Sequence, residues 1–127
     1  MFKVFVYGSL KKGFHNHYFL ENSKLLGKGI LKGATLYDMG ISYPCMKIDK
    51  SDNVIYGEVY EVDFETLCAI DYLEGYNPGS SNNLYNRQTV VVNMENGDSN
   101  VCYSYEWAHE KRNHWKEIEE WTKFKRY

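Results

Sequence analysis

SKLLGKGILKGATLYD, residues 23–38, is the stretch whose reading decides the fold class. It is strand-like along its whole length, yet Gly27, Gly29 and Gly33 interrupt it. Glycine inside a strand removes side-chain packing and marks bulges or corners. Such spacing predicts a strongly curved sheet rather than a flat one.

Toward the amino terminus, Phe2 to Tyr7 is β-branched and aromatic and reads as a buried first strand. A loop with glycine at both ends, Gly8 to Phe14, follows, then a short helix over His15 to Glu21. Toward the carboxyl terminus, Gly40–Pro44 is a loop and Asp49–Asn53 a polar turn. Val54–Val62 is strand. Asp63 caps a helix whose apolar residues Phe64, Leu67, Ile70 and Leu73 recur at helical spacing, and Gly75 stops it. Residues 77–83 form a long polar loop. Asn96-Gly97, between Tyr85–Met94 and Asn100–Trp107, is a hairpin signal. Trp115, Ile118 and Trp121 fall near one helical face, so a terminal helix is expected. The order predicts an α+β fold on a curved, mostly antiparallel sheet. A single domain over residues 1–127 is expected, with 108–127 as a helical extension.

Composition narrows the function. A formal net charge of −2 disfavours nucleic acid, whose binders neutralise phosphates with a basic excess. Lys11-Lys12 and Lys123–Arg126 are basic but form no stripe. Cys45, Cys68 and Cys102 lie far apart without CxxC spacing, which predicts reduced cysteines in a cytoplasmic protein. The apolar start is broken by Lys3 and ended by Gly8, too short for a membrane span. The 12 Tyr suit half-buried strands and equally the walls of a polar pocket.

Three constellations could carry chemistry. In Tyr7-Gly8-Ser9-Leu10, Gly8 frees main-chain amides to turn toward an anion, although a plain structural turn fits the spacing as well. A phosphate loop is rejected, because Phe14 and His15 stand where its Lys and Ser/Thr belong. In Asp71-Tyr72-Leu73-Glu74-Gly75, two carboxylates sit at a helix C-terminus, where the helix dipole disfavours negative charge and raises their pKa. A solvated acid at a frayed helix end is the plain alternative. His109 and His114 are five apart, one too many to share a helix face as zinc ligands. All four histidines are expected to be non-catalytic, and no metal site is predicted.

Taken together, these pieces resemble the γ-glutamylcyclotransferase-like family. The matching residues are Tyr7-Gly8-Ser9-Leu10 with Gly13, Leu36-Tyr37-Asp38, Tyr43-Pro44, Gly57-Glu58-Val59-Tyr60, Asp71-x-x-Glu74-Gly75 and Tyr85-x-Arg87. They run in the family's order from Phe2 to Trp107, and look most like the γ-glutamylamine cyclotransferase branch and small bacterial relatives. The resemblance implies a pseudo-barrel and conversion of a γ-glutamyl compound to 5-oxoproline and a free amine, without a cofactor. It implies Glu74 as catalytic acid/base and Tyr7, Gly8, Ser9 and Leu10 as the substrate loop. Tyr43, Tyr85, Arg87 and Tyr103 match further substrate-binding positions, with Tyr105 an equal candidate for the last. A small-molecule substrate is expected, with no nucleic-acid or membrane partner, in a monomer or homodimer. Two competing readings use the same residues: a non-catalytic module binding a small carboxylate or amine, and an interaction protein using a Trp115/Trp121 helix. The loop between Gly75 and Tyr85 is longer than the family pattern suggests, and residues after Trp107 match none of its motifs.

Overall fold

The structure is a computed structural model, and it describes residues 1–123. Its strands are β1 (Phe2–Val6), β2 (Lys24–Lys32), β3 (Ala34–Asp38), β4 (Cys45–Ile48), β5 (Val54–Val62), β6 (Tyr85–Met94), β7 (Ser99–Trp107) and β8 (Lys116–Ile118). One α-helix, α1 (Phe64–Leu73), joins β5 to β6, and a short 3₁₀ turn covers His17–Leu20.

Five strands close into a barrel in the order β1-β5-β2-β6-β7. Every pairing in it is antiparallel except the closing one, where β1 runs parallel to β7 at Val4 and Tyr103. The curvature expected from residues 23–38 has a specific seat: the β2–β5 register slips between Leu25 and Gly27. Such a bulge bends one strand against its neighbour. The chain then leaves the barrel at Gly33, and β3 joins β4 and β8 in a second, three-stranded sheet.

β1 is buried on both faces. Phe5 and Tyr7 pack into one core with Ile55, Val59, Val92 and Trp121, while Val4 and Val6 face another with Leu67, Ile70 and Tyr105. Side chains alternate along a strand, so a strand sandwiched between two cores reads as a continuous apolar run. The α1 boundary follows its cap: the Asp63 carboxylate accepts from the Thr66 amide at 2.8 Å.

The expected terminal helix is corrected. Residues 116–118 are a strand paired with β3 through Leu36–Asp38, and no helix occurs between 108 and 123. Trp115 and Trp121 are buried, in different cores, so they offer no exposed aromatic face. The basic residues of the tail beyond Lys123 lie outside the described residues. Among the described residues, no helix is long and apolar enough to cross a membrane.

Candidate active site

A cavity of about 330 Å³ opens where β1, α1, β6 and β7 converge. The end of β1 delivers Tyr7 and the turn Gly8–Leu10, the last turn of α1 delivers Glu74, and β6 and β7 contribute Tyr85 and Tyr105. Tyr43 and Pro44, in the loop before β4, complete the wall.

The first loop is braced by hydrogen bonds to its neighbours. The Lys11 amide donates to Gly8 O at 3.0 Å, closing a turn, and Asn16 donates from its side chain to Ser9 Oγ at 2.8 Å. The Asn16 amide donates to Ser9 O, and the Lys12 amide to the Glu58 carboxylate. Among the described residues, no protein group accepts from the amides of Gly8, Ser9 or Leu10. Three successive uncommitted donors beside a cavity form a nest for an anion. Gly8 itself does not adopt a positive φ. Its small size is needed because a Cβ would meet Pro44 Cδ at 2.9 Å.

Glu74 caps the C-terminal end of α1. Its residue surface is only half-buried, but protein surrounds the carboxyl group, and this desolvation raises its pKa from 4.5 to about 7. Burial likewise pushes up the phenols of Tyr7, Tyr85 and Tyr105, and the charge of Glu74 adds to each. All three are therefore neutral. The Tyr85 hydroxyl donates to Pro44 O at 2.9 Å, and the Tyr7 hydroxyl to Tyr105 O at 2.7 Å.

The structure gathers Tyr7, Gly8, Ser9, Leu10, Tyr43, Glu74 and Tyr85 around one hollow. Arg87 and Tyr103 do not line it. Arg87 pairs with Asp71 at 2.7 Å and lies over the Tyr103 ring at 4.5 Å. Of the two tyrosines on β7, Tyr105 faces the cavity. Strand parity separates Tyr103 from Tyr105 only once a neighbouring strand fixes which face is inside. Asn16 and Leu84 also reach the wall, as does His15, one of the four histidines expected to be non-catalytic. Of the loop between Gly75 and Tyr85, Leu84 reaches the cavity and residues 77–83 do not; the Asn83 side chain ties that part to Asn77 and Ser80.

Residues 4–123 match the family described as "Gamma-glutamyl cyclotransferase, AIG2-like". The chain belongs to this family. The match runs through β8 and Trp121, so the stretch after Trp107 is part of the family's domain pattern. The chain is 37% identical over 103 residues to γ-L-glutamyl-butirosin B γ-glutamyl cyclotransferase of Niallia circulans, covering 80% of this chain and 64% of that protein. It thus spans slightly under two thirds of that relative. It is 40% identical over 103 residues to a protein of Methanocaldococcus jannaschii provisionally named a γ-glutamylcyclotransferase, covering 80% of this chain and 81% of the relative. A mouse AIG2-like protein of known crystal structure superposes with a TM-score of 0.78 at 26% identity, over 96% of this chain and 88% of the other.

Proposed function

We propose that this family member is a cyclotransferase that releases 5-oxoproline and a free amine from a γ-glutamyl amide. The observation that carries the reading is the pairing, across one cavity, of a carboxyl group with a pKa of about 7 and three uncommitted amides.

The substrate's α-amino nitrogen attacks its own γ-carbonyl and closes a five-membered lactam. The C–N bond to the amine then breaks. Of the three protons on the α-ammonium, one stays on the lactam nitrogen and two leave with the amine. Glu74, as carboxylate, takes one of them and returns it to the departing nitrogen. Holding the substrate folded back supplies several kcal/mol, with about 7–11 as the upper range. Proton transfer by Glu74 adds roughly 10²–10⁴-fold. The amides of Gly8–Leu10 hold the α-carboxylate or the oxyanion, and a single oxyanion donor is worth about 2.7–4 kcal/mol. Tyr43 and Tyr85 enclose the glutamyl chain.

Glu74→Gln is expected to keep the fold and lower 5-oxoproline release at least about 10²-fold. Equal release from purified parent and variant would reject Glu74 as the acid/base. The reaction needs one proton shared between Glu74 and the substrate amine, whose own pKa is near 8. The pH profile of kcat/KM is therefore a narrow bell. Its rising limb lies near 7, from Glu74, and its falling limb near 8, from the amine. In Glu74→Gln the rising limb disappears.

The cavity wall also bears on the leaving group. Among the described residues it holds no Lys or Arg, and Glu74 is its one acid. A second substrate carboxylate would enter without a cationic partner, which is costly in a partly desolvated site. Neutral or cationic leaving amines are thus favoured. Measured kcat/KM for γ-glutamyl-propylamine is expected to exceed that for γ-glutamylglycine at least about 10-fold. The reverse order would reject this selectivity. A binding module on the same cavity gives no account of a carboxyl group held near neutrality.

A further inference from the structure

Arg87 is drawn away from the cavity by Asp71, a buried carboxylate one helical turn before Glu74. Asp71 Oδ2 accepts from Arg87 Nη1 at 2.7 Å, and Oδ1 accepts from the Tyr105 hydroxyl at 2.5 Å. Asp71 is 8% exposed and Tyr105 3%. The rings of Tyr76 and Tyr103 hold the guanidinium at 5.2 and 4.5 Å from their centres. The chain of bonds continues past Tyr105, whose main-chain oxygen accepts from the Tyr7 hydroxyl at 2.7 Å. Tyr7 precedes the first of the three uncommitted amides. One connected network therefore runs from the last turn of α1, through β6 and β7, to the end of β1. These are the elements that carry the acid and the anion nest.

We propose that Asp71, Arg87 and Tyr105 are positioning residues that fix Glu74 at its working distance from the amides of Gly8–Leu10. The proposal rests on the cyclotransferase reading for its kinetic consequences, though not for its structural ones. Three features support it. Both carboxylate oxygens of Asp71 are used, by donors from two different strands, which fixes the helix end in two directions. Asp71 and Tyr105 are buried and Arg87 partly so, where a charge-assisted pair tolerates little displacement. Finally, because the Tyr105 hydroxyl is committed to Asp71, its proton is not offered to Glu74, and the Glu74 carboxyl keeps its proton up to about pH 7. The groups facing Glu74 are Tyr7 from β1, Tyr85 from β6, Tyr105 from β7, and His15 and Tyr43 from the loops. Cys45 stands behind Tyr7 and Tyr85, and Asp71 and Arg87 behind Tyr105.

Tyr105→Phe removes one hydroxyl, leaves the ring and keeps the Asp71–Arg87 pair, so the variant is expected to fold. It should lose about 10-fold or more in kcat with KM changed by less than about threefold, because a displacement of about 1 Å can cost up to 10². A second readout needs no activity. The Glu74 carboxyl is followed by ¹³C NMR titration of Glu-labelled protein, its signal identified by its loss in Glu74→Gln. The midpoint near 7 is expected to fall toward the ordinary carboxylate range in Tyr105→Phe, as water reaches a helix end no longer held. It should fall further in Asp71→Asn, which also removes a negative charge and leaves Arg87 unpaired. Arg87→Lys, retaining the charge without the planar fork, should restore part of the parent behaviour that Arg87→Gln loses. A folded Tyr105→Phe with parental kcat and an unmoved Glu74 midpoint overturns the proposal, even if its melting temperature drops. If the parent releases no 5-oxoproline from any γ-glutamyl amide, the cyclotransferase reading fails, and the titration alone decides the positioning role.

Discussion

Glu74 carries a cost as well as a role. An unfolded chain releases its proton near 4.5, whereas the native state holds it to about 7. Between those values the native state binds more protons, so stability falls as pH rises from about 4.5, and the loss is complete above about 7. The full shift corresponds to about 3 kcal/mol at most, reduced because the half-buried residue is partly screened. Glu74→Gln should therefore be more stable than the parent at pH 8, by about 1–3 kcal/mol, and equal to it at pH 4. Urea denaturation at the two pH values checks this; a parent as stable as the variant at pH 8 would contradict a desolvated carboxyl. Glu74 stands out in the amino-acid sequence itself, because a helix C-terminus offers an acid no electrostatic benefit. Arg87, by contrast, has no signal of its own in the sequence and enters only through the family resemblance. Only the fold shows that Asp71 takes its guanidinium, at 2.7 Å.

Among the elements, those with strong local signals are legible within a residue or two: β1, β5, α1 with its Asp63 cap, and the β6–β7 hairpin. β4 and β8 are not. Each is held by pairing with β3, and β8 finds its partner nearly 80 residues away, which no local pattern encodes. The spacing of Trp115, Ile118 and Trp121 imitates a helix face, but only the partly buried Ile118 lies in β8, and the two Trp flank it in different cores. The β1–β5 pair offers a direct test at this scale. A Cβ on Gly57 would stand 2.5 Å from the Val6 carbonyl oxygen and 2.7 Å from the Phe5 ring. The oxygen is main chain in the barrel wall and cannot turn aside as a flexible side chain could. Gly57→Ala is expected to destabilise by about 1–3 kcal/mol, as overpacked cores do. Because β1 ends in the anion nest, the variant should also raise KM for the γ-glutamyl substrate. Thermal melting read beside kinetics checks both, and an unchanged melting temperature would mean that the two strands separate more easily than their packing implies.

For the molecule as a whole, the question is whether the stretch after Trp107 is an appendage or part of the fold. Its contacts argue for the second. β8 completes the sheet with β3, the Asp38 carboxylate pairs with Lys123, and Tyr56 donates its amide to Glu119 O at 2.8 Å. Trp121 is 1% exposed and shares a core with Phe5, Leu36, Val59 and Val92, and its main-chain oxygen accepts from the buried Lys11 side chain at 2.9 Å. It thereby binds the last described turn of chain to the loop that begins with the anion nest. Removing a buried Trp side chain costs about 3–5 kcal/mol, out of a total stability of about 5–15. Trp121→Ala should therefore lower the melting temperature by about 10 °C or more. Trp115→Ala, in the other core, should lower it too, but less, because Trp115 is 9% exposed and keeps some contact with solvent. If Trp121→Ala melted within about 2 °C of the parent, the segment would be an appendage, and the barrel would have to owe its closure to residues 2–107 alone.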